Sequence, residues 1–245
     1  MTERTNDLGQ PIGAALPEWK AVPPPPRSPM TGRFCRVEPI DAERHAADLF
    51  TAFRRDEEDR IWTYLPYGPF DSEAALRDWM ADECMGDDPL FHAILDSASG
   101  QAQGVASYLR IQPAVGVIEV GHINFSPLLQ RRAAATEAMY LMMRRVFEEL
   151  GYRRYEWKCD ALNAASCRAA ARLGFSYDGL FKQATIYKGR NRDTAWYSVL
   201  DCDWPALKKA YEAWLAPDNF AADGRQRAAL GALIAKEKAT LGEAS

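Results

Sequence analysis

Residues 116–136 read GVIEVGHINFSPLLQRRAAAT, and the fold turns on how the two halves of this stretch are joined. Ile118 and Val120 share one face of an extended chain, but the next apolar pair, Ile123 and Phe125, belongs to the opposite phase. The alternation slips by one at Gly121 and His122. Side chains alternate with a period of two along a strand, so a slip at a glycine predicts a β-bulge, which bends the strand and can leave backbone N–H groups unpaired beside a ligand. Arg131 and Arg132 then precede Ala133, Ala134 and Ala135, where a helix begins. The N–H groups of a first turn have no intrahelical acceptor, that end carries partial positive charge, and small side chains leave the backbone open to approach. With the two arginines this predicts a pyrophosphate site. Alanine's helix propensity explains the same run with no ligand.

Outward from this stretch the pattern alternates strands and helices. Downstream, Met139, Tyr140, Met143, Val146, Phe147 and Leu150 repeat at three- and four-residue spacing, which predicts a helix over 133–150 ended by Gly151. Residues 154–160 alternate strictly, with Tyr155, Trp157 and Cys159 on one face and Glu156, Lys158 and Asp160 on the other, as in a strand. A short helix over 164–173 follows, with Asn163 as its cap, then strands over 175–187 and 194–200 joined by a polar turn at 188–193. Upstream, the spacing predicts a strand at 34–38, a helix capped by Asp41, an aromatic loop over 61–70, a helix from Asp71 or Ser72, and strands at 90–95, 103–111 and 117–125. The first 31 residues, with Pro23 to Pro26 and Pro29, read as an extended arm in which Trp19 is a packing anchor. Residues 32–203 read as one domain, and the chain from 204 onward as a helical extension broken over 217–224.

The chain has 245 residues, with 30 Lys plus Arg against 34 Asp plus Glu. A formal charge of −4 argues against electrostatic capture of nucleic acid or an anionic membrane. No apolar run is long enough for a spanning helix and no leader pattern opens the chain, so the expected location is the cytoplasm. The cysteines, Cys35, Cys84, Cys159, Cys167 and Cys202, are odd in number and widely spaced, which predicts reduced thiols. His45, His92 and His122 stand at no metal-ligand spacing, so no metal is expected.

Three motifs in order carry a family resemblance: the bulged strand GVIEVGHINFSP, the stretch from Gln130 to Ala135, and Asn163-x-x-Ser166 followed by Gly174-Phe175. Together they resemble the GCN5-related N-acetyltransferases (GNAT), in the branch of the ribosomal-protein alanine acetyltransferases RimJ and RimL, over about residues 32–201. EWKCDALN and KGRNRDTAWYS also look like segments of this branch. The resemblance implies an α/β (α+β) fold, a mixed, mostly antiparallel central sheet splayed between its fourth and fifth strands and flanked by helices, with acetyl-CoA lying in the opening. By the same analogy the backbone of Asn124 and Phe125 pairs with the pantetheine arm and polarises the thioester carbonyl. Gln130, Arg131, Arg132, Ala133, Ala134, Ala135 and Thr136 hold the pyrophosphate, Asn163 meets the cofactor's amides, and Ser166 lies near the sulfur and protonates or hydrogen-bonds the departing thiolate. The chain departs from the family where Ala133 replaces a glycine and where Ala170 stands in the place of a tyrosine acid.

Acetyl transfer to nitrogen needs a neutral amine, so a base or a water chain must take a proton first. The candidates are Glu119, on the bulged strand and acting through water, and His122, at the slip and able to titrate near neutrality. Each also has a purely structural reading, as a solvated strand carboxylate and a hydrogen-bonded histidine. Cys167 has no histidine partner visible in the sequence, which speaks against an acyl-enzyme. Tyr64 and Tyr67 fall in the loop where family members form part of the acceptor pocket. Lys188 to Arg192 reads as a solvated hairpin tip, or as a receiver for an acidic acceptor if it lies near the cleft. The acceptor is a protein N-terminus or a small amine. The rival reading is a non-catalytic acetyl-CoA-binding regulatory or interaction module, and a homodimer is compatible with either.

Overall fold

Period-two segments need partners for their backbone groups, and in the computed structural model, which describes residues 4–242, they find them in one eight-stranded sheet. In chain order the elements are β1 (Arg4–Thr5), β2 (Pro11–Ile12), β3 (Met30–Thr31), β4 (Cys35–Pro39), α1 (Ala42–Phe53), α2 (Glu73–Glu83), β5 (Leu90–Asp96), β6 (Ala102–Gln112), β7 (Val117–Phe125), α3 (Ala133–Arg144), β8 (Arg154–Asp160), α4 (Ala164–Arg172), β9 (Ser176–Tyr187), β10 (Arg190–Leu200), α5 (Trp204–Leu215) and α6 (Leu230–Gly242). The sheet runs β3-β4-β5-β6-β7-β8-β10-β9. Every neighbouring pair is antiparallel except β7 and β8. This is the mixed, mostly antiparallel sheet that the resemblance implies.

The caps fall where the sequence places them. Asp41 accepts from Arg44 N at the start of α1, and Ser72, rather than Asp71, accepts from Ala75 N at the start of α2. Each satisfies one orphan donor of a first turn, worth about 1 kcal/mol. Both helices bury one face against one side of the sheet, through Leu49, Phe53, Leu76 and Met80 over Phe91, Ala93 and Val105. On the other side α3 and α5 cover Tyr108, Ile118, Val120 and Tyr155.

Three expectations change. The helix after Arg132 is α-helical only to Arg144 and continues as one π turn, Arg145–Glu149, whose Arg145 is buried and donates to Ser28 O and Pro29 O. The arm is not wholly extended, because β1 pairs with β2 and β3 pairs with the sheet edge at β4. Trp19 donates to Ala114 O at 2.8 Å, which pins the arm to the β6–β7 turn. The turn between β9 and β10 is only Lys188 and Gly189, both with positive φ, so β10 begins four residues earlier than its alternation shows. Helix α5 of the C-terminal extension packs on the domain, with Trp204, Leu207, Tyr211 and Trp214 buried in the main core.

One buried carboxylate ties the first core strand to the central helix. Glu137 of α3 accepts from Arg33 N, Phe34 N and Cys35 N at 2.8, 2.6 and 2.8 Å. A Cβ at Gly32 would collide with that carboxyl, which explains glycine there. Hydrogen bonds to a charged acceptor are stronger than neutral ones, and buried donors that lose a partner carry a desolvation cost. Glu137→Gln should therefore cost about 2–4 kcal/mol in urea denaturation, and a loss under about 0.5 kcal/mol would contradict this role.

Candidate active site

The slip read at Gly121 and His122 is a bulge. Ser107 of β6 faces Gly121 and Val105 faces Asn124, so His122 and Ile123 together oppose Ala106. His122 takes the extra residue's conformation with φ +49, a left-handed backbone that costs a residue with a Cβ about 1–2 kcal/mol. On its other edge β7 pairs with β8 only from Val117 to Val120, opposite Arg154 to Trp157. Past the bulge the two strands part, and residues 122–125 and 158–160 border an opening in the sheet.

Helix α3 starts at the end of β7. Gln130 Nε2 donates to Phe125 O at 2.8 Å and closes the connecting turn, and Arg131 has φ +61. Arg132 is the extended N-cap residue and no side chain caps the helix, so the donors of its first turn are free for a ligand. Ala134 turns its methyl into the core, while Ala133 and Ala135 are half-buried. Across the opening Arg172 of α4 donates to Thr136 Oγ1 at 3.1 Å. Arg131, Arg132 and Arg172 form no ion pair among the described residues. An open helix start with three uncompensated guanidinium groups fits a pyrophosphate.

At the inner end of the opening, Asn163 caps α4 by accepting from Ser166 N at 3.0 Å. Ser166 Oγ accepts from Trp157 Nε1 at 3.0 Å, which leaves its own O–H to donate elsewhere. Cys167 lies 3.7 Å from Cys159, sulfur to sulfur, and burial raises the Cys159 thiol to about 12.

The sheet face below α1 and α2 carries the titratable groups. Glu119 is 3% exposed and not solvated. Arg110 Nη1 lies 2.7 Å from one of its oxygens and Lys158 Nζ 2.8 Å from the other. Burial raises the Glu119 pKa while Lys158 and Arg110 pull against it. His122 Nδ1 lies 3.3 Å from Tyr67 Oη, and its ring stacks on Tyr67 and tilts against Phe91. Burial, with Arg110 and Arg192 nearby, lowers His122 to about 4, so it does not titrate near neutrality as its place in the sequence suggests. Tyr64 Oη reaches across to Leu162 O at 3.2 Å. The β9–β10 tip is not free either. Lys188 Nζ donates to Trp62 O and Gly68 O, and Arg190 to Thr63 O, so it clasps the aromatic loop. Among the described residues no three His, Cys, Asp or Glu side chains gather to hold a metal, and no described helix is long and apolar enough to cross a membrane.

The family model for the acetyltransferase (GNAT) domain matches residues 36–176. The chain belongs to the GNAT acetyltransferases. It is 47% identical to a GCN5-related N-acetyltransferase of known structure from Brucella melitensis, with a TM-score of 0.88, over 90% of this chain and all of that one. It is 43% identical to a probable GNAT-family acetyltransferase from Chromobacterium violaceum ATCC 12472, with a TM-score of 0.74, over 80% of this chain and 98% of that one. The microcin C7 self-immunity acetyltransferase MccE, solved with acetyl-CoA and AMP, shares the fold at 18% identity and a TM-score of 0.60, over 69% of this chain and 93% of that one. No curated protein matches the sequence.

In this GNAT acetyltransferase the structure brings Glu119, His122 and Tyr67 to one side of the opening, with Ser166 and Asn163 on α4 and residues 130–136 at its outer end. Sequence reading missed Arg110, Lys158 and Arg172. The signal for Lys158 was its place on the polar face of β8, but it needed the parallel pairing of β7 with β8 to reach Glu119. The depressed His122 pKa sets a sign for stability: an unfolded histidine binds its proton near pH 6.5, so the contribution is full above that value and is lost as pH falls through about 4. An NMR titration of the imidazole should place its midpoint near 4, and a midpoint at or above about 6 would contradict the buried site.

Proposed function

We propose that this chain is an acetyl-CoA-dependent N-acetyltransferase of the RimJ/RimL-like branch. It moves an acetyl group to a primary amine, a protein N-terminus or a small amine, by direct attack within a ternary complex. The observation that carries this reading is the bulge at which β7 leaves β8, directly joined to the uncapped start of α3. One edge of β7 thereby offers free backbone groups to a pantetheine arm, while the helix start receives phosphates.

Acetyl-CoA supplies the activated acetyl group as a thioester. Residues 130–136 and Arg172 hold the pyrophosphate, Asn124 and Phe125 offer backbone to the arm, and Asn163 orients its amides. Glu119 takes the proton of the incoming ammonium through water, and its raised pKa makes it a better base than an exposed carboxylate. His122 stays neutral at pH 7 and orients the amine together with Tyr67, rather than adding a second positive charge. The acceptor nitrogen then forms its bond to the carbonyl carbon as the carbon–sulfur bond breaks, and the second proton that the nitrogen sheds on becoming an amide is relayed to the thiolate, which leaves as CoA thiol. Ser166 Oγ–H, polarised by the bond from Trp157 Nε1, meets the departing thiolate.

Release of CoA thiol in the presence of a panel of amines tests the reading. Glu119→Gln should lower kcat by about 10²–10⁴ and remove the acidic limb of the pH–rate profile. Ser166→Ala should lower kcat by about tenfold with the acetyl-CoA affinity unchanged, since one hydrogen bond made at the sulfur only as charge develops is worth about 1.4 kcal/mol. Thermal stabilisation by acetyl-CoA without thiol release from any amine would overturn the catalytic reading.

A further inference from the structure

The hairpin over the aromatic loop carries Lys188, Arg190 and Arg192 within five residues, and among the described residues none of them pairs with a carboxylate. The nearest acids on these elements are already engaged. Asp193 accepts from Gln183 N and Asn191 Nδ2, and Asp160 accepts from Tyr187 Oη and Leu162 N. Lys188 and Arg190 are fixed by neutral carbonyls of the loop, at 2.9, 2.7 and 2.6 Å. Such bonds orient the cations without neutralising them. Lys188 is moreover held with φ +47 in a two-residue turn, a position that favours Asn, Asp or Gly. Strain of this kind persists where the surroundings impose it and is concentrated at functional sites.

These two cations line one wall of an open cavity of about 350 Å3 whose other walls are Asp59, Trp62, Thr63 and Pro69. Asp59 also lines it, so the charged lining residues leave a net single positive charge. The cavity borders the reaction centre through two ring contacts, Trp62 to Tyr67 at 6.2 Å and Tyr67 to His122 at 5.6 Å between centroids. Arg192, two residues further along β10, is half-buried and close enough to His122 to act on its charge. The positive charges thus lead from the cavity toward the bulge.

We infer that the acceptor carries, at a distance from its reacting amine, an anionic oxygen group, carboxylate or phosphate, that Lys188 and Arg190 receive. The inference rests on the N-acetyltransferase reading and names the class of acceptor. The ring layer between cavity and bulge requires a spacer between amine and anion. A planar guanidinium held at one end presents its remaining N–H groups in a fork suited to either anion.

The test uses matched acceptors: 6-aminohexanoate against its amide, 6-aminohexyl phosphate against 6-aminohexanol, and a short peptide with an early Asp against the same peptide with Asn. CoA thiol release gives kcat and KM, and calorimetric titration into the enzyme saturated with CoA reports binding without turnover. At least one anionic member should exceed its neutral partner by about tenfold, mainly through KM. The carboxylate and phosphate arms show which anion is preferred. Arg190→Glu should abolish or invert the ratio, and Arg190→Lys should keep a reduced preference because it retains the charge but not the fork, an order that loss of a merely structural bond to Thr63 O would not produce. Equal binding and equal kcat/KM for acid and neutral forms, or a ratio that survives Arg190→Glu, overturns the subsite. Thiol release from amines with no anion preference leaves the transferase reading standing without it. An anion preference in binding with no thiol release from any amine supports the subsite and counts against transfer.

Discussion

The structure depends on the point at which hydrogen bonding between β7 and β8 stops. Four residues of β7, Val117 to Val120, are paired in parallel with Arg154 to Trp157, and the ladder stops there, two residues before the bulge that His122 and Ile123 make against β6. An unpaired strand edge in a protein interior carries a desolvation cost unless something occupies it. The same bulge sets the His122 ring against Tyr67, and the chain then enters α3 with its first-turn donors uncapped. A split sheet, a row of free amides and an open helix start therefore follow from one extra residue. Glu137 anchors the other end of this arrangement, holding α3 to the start of β4, so the first turn of α3 is fixed relative to the sheet.

Electrostatics divides the opening into three zones. Its outer end holds the guanidinium groups of Arg131, Arg132 and Arg172, which pair with no carboxylate among the described residues. Its centre holds Glu119, a buried carboxylate between Arg110 and Lys158, beside a neutral His122. Two cations on one carboxylate fix its orientation and oppose the rise that burial imposes on its pKa, and burial is the larger effect. Lys158 also lies over the Trp196 ring at 3.8 Å and contacts Glu156, so its own position is tightly set. The third zone is the clasp of Lys188 and Arg190 on the carbonyls of the aromatic loop.

What could be read from the sequence was what the local pattern specifies. The strict alternation of residues 154–160 and the phase slip at Gly121 give β8 and β7 with their true boundaries, because a period of two and its interruption are properties of neighbouring residues. The caps at Asp41, Ser72 and Asn163 are local for the same reason. What stayed hidden depends on distant pairs. Lys188 reaches Trp62 O across 126 residues, and His122 owes its lowered pKa to burial against Phe91 and Tyr67. The early start of β10 at Arg190 was masked because a run of charged residues resembles a turn, and the short β1–β2 pair because two residues hold no period. The GNAT motifs gave the family and its fold, while the charges around Glu119 and His122 came only from packing.

The central claim is that the free edge of β7 past the bulge and the first turn of α3 together receive acetyl-CoA. Hydrogen–deuterium exchange of the full chain with and without acetyl-CoA tests it most directly. The account predicts that the ligand slows exchange at the amides of residues 122–125 and 133–136, with little change in β4 or β5. Saturating acetyl-CoA that binds but leaves both segments unprotected, or that protects only the β9–β10 hairpin, would contradict it.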